Sequence, residues 1–280
     1  MASKWTSRED AHAGLRAKFM AWVMNGGGFV HPDIRVLSSL PNHGNDRGVI
    51  CNGESIKSNE ALILIPQSLC LYMPLHLCGV RAEKLNSSST STSKEELPAA
   101  VTFLVALEHK PSTFICTVLI LLSEAALGQK SFYAPYIDTL PEGHDSLIAW
   151  TDAELSLLQG TELECQTDGR KKTTQDIFVD VVLPIIRNAP ELWPLSFCTA
   201  DRFDWAFGCV QTRAFQLNDQ QGNVPTMYLI PGVDMLNHTS MKDAVATTLQ
   251  LVKSSNGQDD SSHMLFAMIA GTWGTRLLYA

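Results

Sequence analysis

Apolar positions at helical spacing open the chain. Leu15, Phe19, Trp22 and Val23 recur three or four residues apart, behind a capping-box-like Ser7-Arg8-Glu9-Asp10. Asn25-Gly26-Gly27-Gly28 ends that run, since glycine is a poor helix former and a good terminator. Between residues 29 and 75 the period shortens. Ile34-Arg35-Val36, Gly48-Val49-Ile50-Cys51 and Ala61-Leu62-Ile63-Leu64-Ile65 read as short strands, punctuated by Gly, Asn and Pro. The polar stretch from Asn86 to Ser93 offers nothing to bury and reads as a linker. Helical patterning then runs for about a hundred residues, with helices predicted near 97–109, 114–127, 151–160, 174–188 and 200–210. Thr151-Asp152-Ala153-Glu154 is a capping box ahead of Leu155, Leu157 and Leu158, and Phe203, Phe207 and Val210 form a core stripe. Gly160 to Lys172 reads as a turn or loop. Strand character returns at Met227 to Ile230. It continues in the alternation of Val245, Thr247, Leu249 and Leu251, and in His263 to Ile269, with Lys253 to Ser262 as a hairpin loop.

The order is helix, strands, helical insertion, strands. It predicts an α+β protein whose β-rich core of short strands is split by a helical insertion, a split that keeps both halves together in space. The expected segments are 1–85, 86–200 with its linker near 86–93, and 201–280.

Composition narrows the possibilities. Of 280 residues, 45% are hydrophobic and 18% charged, enough apolar material for a core and too much for wholesale disorder. The net charge of −8 argues against a nucleic-acid partner, because phosphate binding needs clustered Lys and Arg, and it favours a basic peptide. The 7 cysteines include no CxxC pair and no zinc-finger spacing, so no metal site is expected, and irregular spacing reads as free thiols in a reducing compartment. The N-terminus lacks the apolar core of a secretory leader. The stretch Phe114 to Leu122 is too short to span a bilayer, so no membrane partner is expected.

Common catalytic motifs are missing: there is no P-loop, GxGxxG, GxSxG or HExxH. Gly26-Gly27-Gly28 follows a helix rather than a strand, which speaks against a phosphate cradle. Two segments concentrate polar groups among apolar ones. In Gln211-Thr212-Arg213-Ala214-Phe215, Arg213 could clamp a carboxylate through its bidentate fork or cap the end of the preceding helix. Pro231-Gly232-Val233-Asp234-Met235-Leu236-Asn237-His238 packs Asp, Asn and His into five residues. Asp234 and His238 would share a helical face, as a weak metal pair, if the segment were helical. Asn237 and His238 could instead recognise a ligand, or the segment could be a hydrogen-bonded turn.

In combination these segments resemble the SET-domain protein methyltransferases, in the split-SET subgroup typified by the plant Rubisco large-subunit lysine methyltransferase. Asp46-Arg47-Gly48-Val49-Ile50-Cys51, then Glu54 to Lys57 and Leu62 to Pro66, look like the first SET strands. Ser131-Phe132-Tyr133-Ala134-Pro135-Tyr136-Ile137 through Pro141, then Trp150 to Leu155 and Leu158 to Thr161, look like the subgroup's helical insertion. Thr212-Arg213-Ala214-Phe215 resembles its SRAF segment, and Ile230 to Thr239 its P-x-x-D-x-x-N-H-S motif. The resemblance covers residues 15 to 269.

That resemblance implies S-adenosyl-L-methionine as methyl donor and a protein substrate presenting a lysine, methylated by a monomer in the cytoplasm or nucleus, with an organelle left open. It implies donor binding at Asn45, Asp46, Arg47, Arg213, Asn237 and His238, and substrate binding at Arg213 and Asp234. Three departures stand out. Asp46 replaces a usual glycine, and Leu217 replaces a second arginine of the plant enzyme. The family's late Tyr-Gly pair, whose Tyr completes the lysine channel, is matched by Leu277-Leu278-Tyr279-Ala280 with Ala for Gly, which puts the catalytic role on Tyr279. The expected C-terminal substrate-binding domain does not follow, as in a truncated or altered product. Two alternatives therefore stand beside lysine methylation: an inactive SET-fold protein-binding module, and a histidine N-methyltransferase on the same fold.

Overall fold

In a computed structural model of the chain, the residues described are 3–39, 47–51, 56–74, 97–143, 150–163, 173–218, 225–236, 247–254 and 263–270. Helices and three small sheets alternate in an α+β arrangement. The described parts of two compact units are taken in turn, one containing Pro135–Thr139 and the segments before Leu71 and after Tyr228, the other the remainder.

The first unit opens with α1 (Ser3–Asn25). The helix is already formed at Ser7, so the capping-box-like segment is not its start. Its stop is where glycine placed it: Gly26 to Gly28 close hydrogen bonds back onto Trp22, Val23 and Met24, and Gly27 takes φ +82°. Phe19 and Val23 are completely buried. The strands β1 (Phe29–Val30), β4 (Ala61–Pro66), β9 (His263–Ala270) and β8 (Thr247–Ser254) form one sheet in the order β1-β4-β9-β8. All its pairs are antiparallel, and β4 meets β9 from the far end of the chain, with Leu64 opposite Ala267. Leu62, Ile63 and Ile65 are completely buried there. At the edge, His31 Nδ1 accepts the Asp33 N–H at 3.1 Å, and Nε2 lies 3.4 Å from Glu60. The Lys57 N–H, and after it His31, hold the Glu60 carboxyl below its ordinary pKa against the opposing effect of desolvation.

A second pair, β2 (Ile34–Ser39) and β3 (Arg47–Cys51), carries a bulge. Arg35 pairs with Ile50 and Ser38 with Gly48, so Val36 and Leu37 together oppose the single Val49. Leu37 is buried at φ +56°, a left-handed conformation that costs a leucine about 1–2 kcal/mol. The Arg16 guanidinium of α1 donates to the carbonyls on both sides of the strain, Val36 O at 2.9 Å and Leu37 O at 3.4 Å.

The second unit is built on α3 (Thr113–Leu127), which follows α2 (Ala99–Ala106). Ser112 caps α3 by accepting the Ile115 N–H. With the 3₁₀ turn after it, the helix reaches 18 residues of mean hydropathy 1.3, long and apolar enough to cross a membrane. Burial explains that apolar character: every residue from Ile115 to Glu124 is buried, as in a core helix. The completely buried Trp193 donates its indole N–H to Leu119 O at 2.8 Å and meets Phe103 edge-on. Among the described residues, Glu124 is the one buried carboxylate, and Ser131 donates to it at 2.6 Å.

The remaining helices are short. The element α4 (Ala134–Ile137) begins the Pro135–Thr139 segment of the first unit. The expected helix near 151–160 is one turn, α5 (Asp152–Leu155), with a complete Thr151/Glu154 capping box and then a 3₁₀ turn. The expected helix near 174–188 passes through a π-helical stretch, Phe178–Val182, before α6 (Leu183–Asn188). The helix α7 (Ala200–Arg213) buries Phe203 and Val210 as the stripe implies. Its Thr199 cap accepts the Arg202 N–H. Three strands close this unit: β5 (Leu71–Tyr72), β7 (Pro225–Leu229) and β6 (Phe215–Asn218), in the order β5-β7-β6. The strand β6, Phe215-Gln216-Leu217-Asn218, does alternate apolar and polar, but a run of only four residues directly after a helix is too short to stand out by its period.

Candidate active site

The segment after β7 is shaped by one glycine. Gly232 sits at φ +79°, and a Cβ there would lie 3.3 Å from the Phe19 ring of α1. The left-handed conformation calls for glycine, and a Cβ would also meet Phe19 at a distance to which the ring would have to yield. The chain then makes a single 3₁₀ turn, Val233–Met235, and extends at Leu236. Asp234 N–H bonds to Ile230 O, and Leu236 N–H to Val233 O. Val233 and Met235 are buried on either side, which fixes the intervening Asp234. The segment is therefore a hydrogen-bonded turn and not an α-helix, and it does not provide the helical face on which Asp234 and His238 would pair. Among the described residues, no group of three or more His, Cys, Asp or Glu could hold a metal ion.

Asp234 Oδ2 accepts the hydroxyl of Tyr136 at 2.9 Å. Tyr136 is completely buried, so the carboxylate is held in one orientation by a donor that water does not replace. The contact joins residues 98 apart in sequence and belongs to the first unit. Cys70 lies close by in the same unit. Burial pushes its thiol well above the ordinary range, and the negative charge of Asp234 pushes it further. Its S–H donates to Pro66 O at 3.6 Å.

The strand β3 packs against the Val233–Met235 turn, so the chain that starts at Arg47 is brought to Asp234. Arg47 pairs with Ser39 through its backbone. Arg213 belongs to the second unit. It is half-buried, the final residue of α7 and directly ahead of β6, and there its charge meets the negative end of the helix dipole. Asn45, Asp46, Asn237, His238 and Tyr279 lie outside the described residues. Tyr136 was missed as a site residue: Pro135-Tyr136-Ile137 stood out as a segment, but nothing local says which of its side chains reaches a turn a hundred residues later.

No family model matches the chain. Several curated proteins are similar to parts of it. The chloroplastic Rubisco large-subunit N-methyltransferase of Nicotiana tabacum is 37% identical over 105 residues, 38% of this chain and 20% of that protein. The chloroplastic fructose-bisphosphate aldolase lysine N-methyltransferase of Arabidopsis thaliana is 34% identical over 122 residues, 44% of this chain and 24% of that protein. The actin-histidine N-methyltransferase of Gallus gallus is 34% identical over 187 residues, 66% of this chain and 28% of that protein. The matches thus span between a fifth and about a quarter of these relatives' lengths. Among solved structures, the SET domain of LSMT bound to lysine and AdoHcy matches with a TM-score of 0.66 at 20% identity, covering 96% of this chain and 54% of that one. Rubisco LSMT bound to AdoMet matches with a TM-score of 0.58 at 19% identity, covering 95% and 53%.

Proposed function

We propose, for a chain that has the SET fold and is related in sequence to protein methyltransferases, that it is an S-adenosyl-L-methionine-dependent protein-lysine N-methyltransferase. The observation that carries this reading is the fold likeness to a SET domain bound to lysine and AdoHcy, which extends over 96% of the chain. The donor set on the described side of the site suits such ligands. Asp234 is an acidic group framed by buried Val233 and Met235 beside β3, a setting that favours a cation over an anion. The donor's sulfonium and the acceptor's ammonium are both cations.

When bound, the donor supplies an activated methyl group for in-line displacement by a nitrogen. What the protein contributes is position. Asp234, oriented by Tyr136, faces the acceptor side. Arg213 clamps a carboxylate. Asn45, Asp46, Arg47, Asn237 and His238 hold the donor, and Tyr279 completes the acceptor channel. A lysine in water is neutral in only about one copy in a few thousand at pH 7, so the channel must also exclude water and favour the neutral amine. We place the protein in a reducing compartment, cytoplasmic or nuclear, with an organelle open because two relatives are chloroplastic.

A second reading, histidine methylation, is favoured by the 187-residue match to an actin-histidine N-methyltransferase. Calorimetric titration with S-adenosylmethionine, followed by transfer of labelled methyl to protein extracts, tests the proposal. Saturable donor binding that is lost in Asn237→Ala, with label on lysine, is the expected result. Label on histidine selects the second reading. A folded chain that binds no donor overturns both and leaves a non-catalytic protein-binding module.

A further inference from the structure

The first helix touches both sides of the candidate site. Arg16 and Phe19 are one turn apart on α1 and so share a face. Arg16 bonds the carbonyls of Val36 and Leu37, where β2 bulges and Leu37 stands at φ +56°. Phe19 packs under Gly232, immediately before the turn that carries Asp234. Between these two contacts lies β3, paired with β2 on one side and packed on the Val233–Met235 turn on the other. A strained residue persists only when its surroundings over-determine it, and such residues concentrate where geometry matters for function.

We propose that Arg16 is a positioning residue for methyl-donor binding: by holding the β2 bulge, with Phe19 as the second contact of the same helix face, it sets the register and approach of β3 against the Asp234 turn. This rests on the methyltransferase reading and adds to it an element remote from the reacting atoms. Arg16 bonds the backbone carbonyls of the bulge, and the effect proposed for it is carried through β2 and β3. Without the guanidinium, the bulge can relax by moving its extra residue, and a one-residue slip turns every following side chain to the opposite face.

The test is donor affinity measured beside thermal stability. Arg16→Met keeps the stem and removes the donors. Arg16→Lys keeps one charged donor. Thr151→Ala, which breaks an exposed cap in the other unit, serves as a control of comparable destabilisation. Expected is a Kd for S-adenosylmethionine roughly ten- to a hundredfold weaker in Arg16→Met, an intermediate value in Arg16→Lys, and a wild-type value in Thr151→Ala. Melting temperatures of Arg16→Met and Thr151→Ala should fall by similar amounts, within about 4 °C. If Arg16→Met does not fold, Arg16→Lys carries the test with the same control. Wild-type affinity in the Arg16 variants, or equal weakening in Thr151→Ala, overturns the inference. Absence of binding by the wild type itself overturns the methyltransferase reading, and this inference with it.

Discussion

Tyr136 gives Asp234 a buried donor, and the pair defines what a single side chain contributes to the site. Tyr136→Phe preserves the ring and removes the hydroxyl. It should destabilise the protein by about 1–3 kcal/mol, the cost of removing a hydrogen bond to an acidic acceptor. A urea midpoint that does not move would show that water replaces the phenol. The cysteines give a second reading at this scale. Cys51 is partly exposed, whereas Cys70, Cys116, Cys198 and Cys209 are buried. Burial pushes the Cys198 thiol up to about 11 despite the nearby Arg202 charge, and burial, with the Asp234 charge, also raises Cys70 well above the ordinary range. Thiolate is the reactive form, so alkylation at pH 8 followed by mass spectrometry should label Cys51 well before Cys70 or Cys198. Early labelling of Cys70 would mean that the core around Asp234 opens readily.

At the scale of elements, the turn after β7 depends on glycine for two reasons at once. Gly232→Ala adds a Cβ against Phe19 and forces alanine to φ +79°. The expected cost is about 1–2 kcal/mol, read as a lower urea midpoint with an unchanged slope. A neutral result would show that α1 yields at Phe19 and that the turn relaxes. Much at this scale was legible in the sequence: the end of α1 at its glycines, the core stripe of α7, the capping box of α5, and the period-two alternation of β8. What sequence periodicity did not show were the irregularities. The bulge at Val36 and Leu37 and the π-helical stretch at Phe178–Val182 obey pairing and packing partners elsewhere in the chain rather than their own local pattern, and β6 alternates over too few residues for its period to mark it.

At the scale of the whole molecule, stability should depend on pH through Glu124. Its side chain is buried in α3, and burial raises its pKa, an effect only partly offset by the Ser131 hydroxyl. A carboxyl with a raised folded-state pKa contributes stability that is fully present below its unfolded pKa of about 4.5 and is lost as pH rises through the folded value. Raising the pH toward neutrality therefore works against folding at this group. Glu124→Gln should raise the melting temperature at pH 7 relative to wild type, and the advantage should shrink as the pH falls toward 4.5. A difference that is constant with pH would place the effect in packing rather than ionisation.

The sequence by itself determined the element order, the split of the β-rich core, and the identity of the segments that resemble SET motifs, because hydrophobic period, capping chemistry and motif spacing are local properties. It also marked Arg213 and Asp234 as residues to examine, since polar groups among apolar neighbours need partners. Tertiary structure alone decided that Tyr136 is the partner of Asp234, that β4 pairs with β9, and that Arg16 holds a strained bulge in β2. These are contacts between residues far apart along the chain. Their geometry follows from how buried faces fill space together, and no local pattern of residues encodes it.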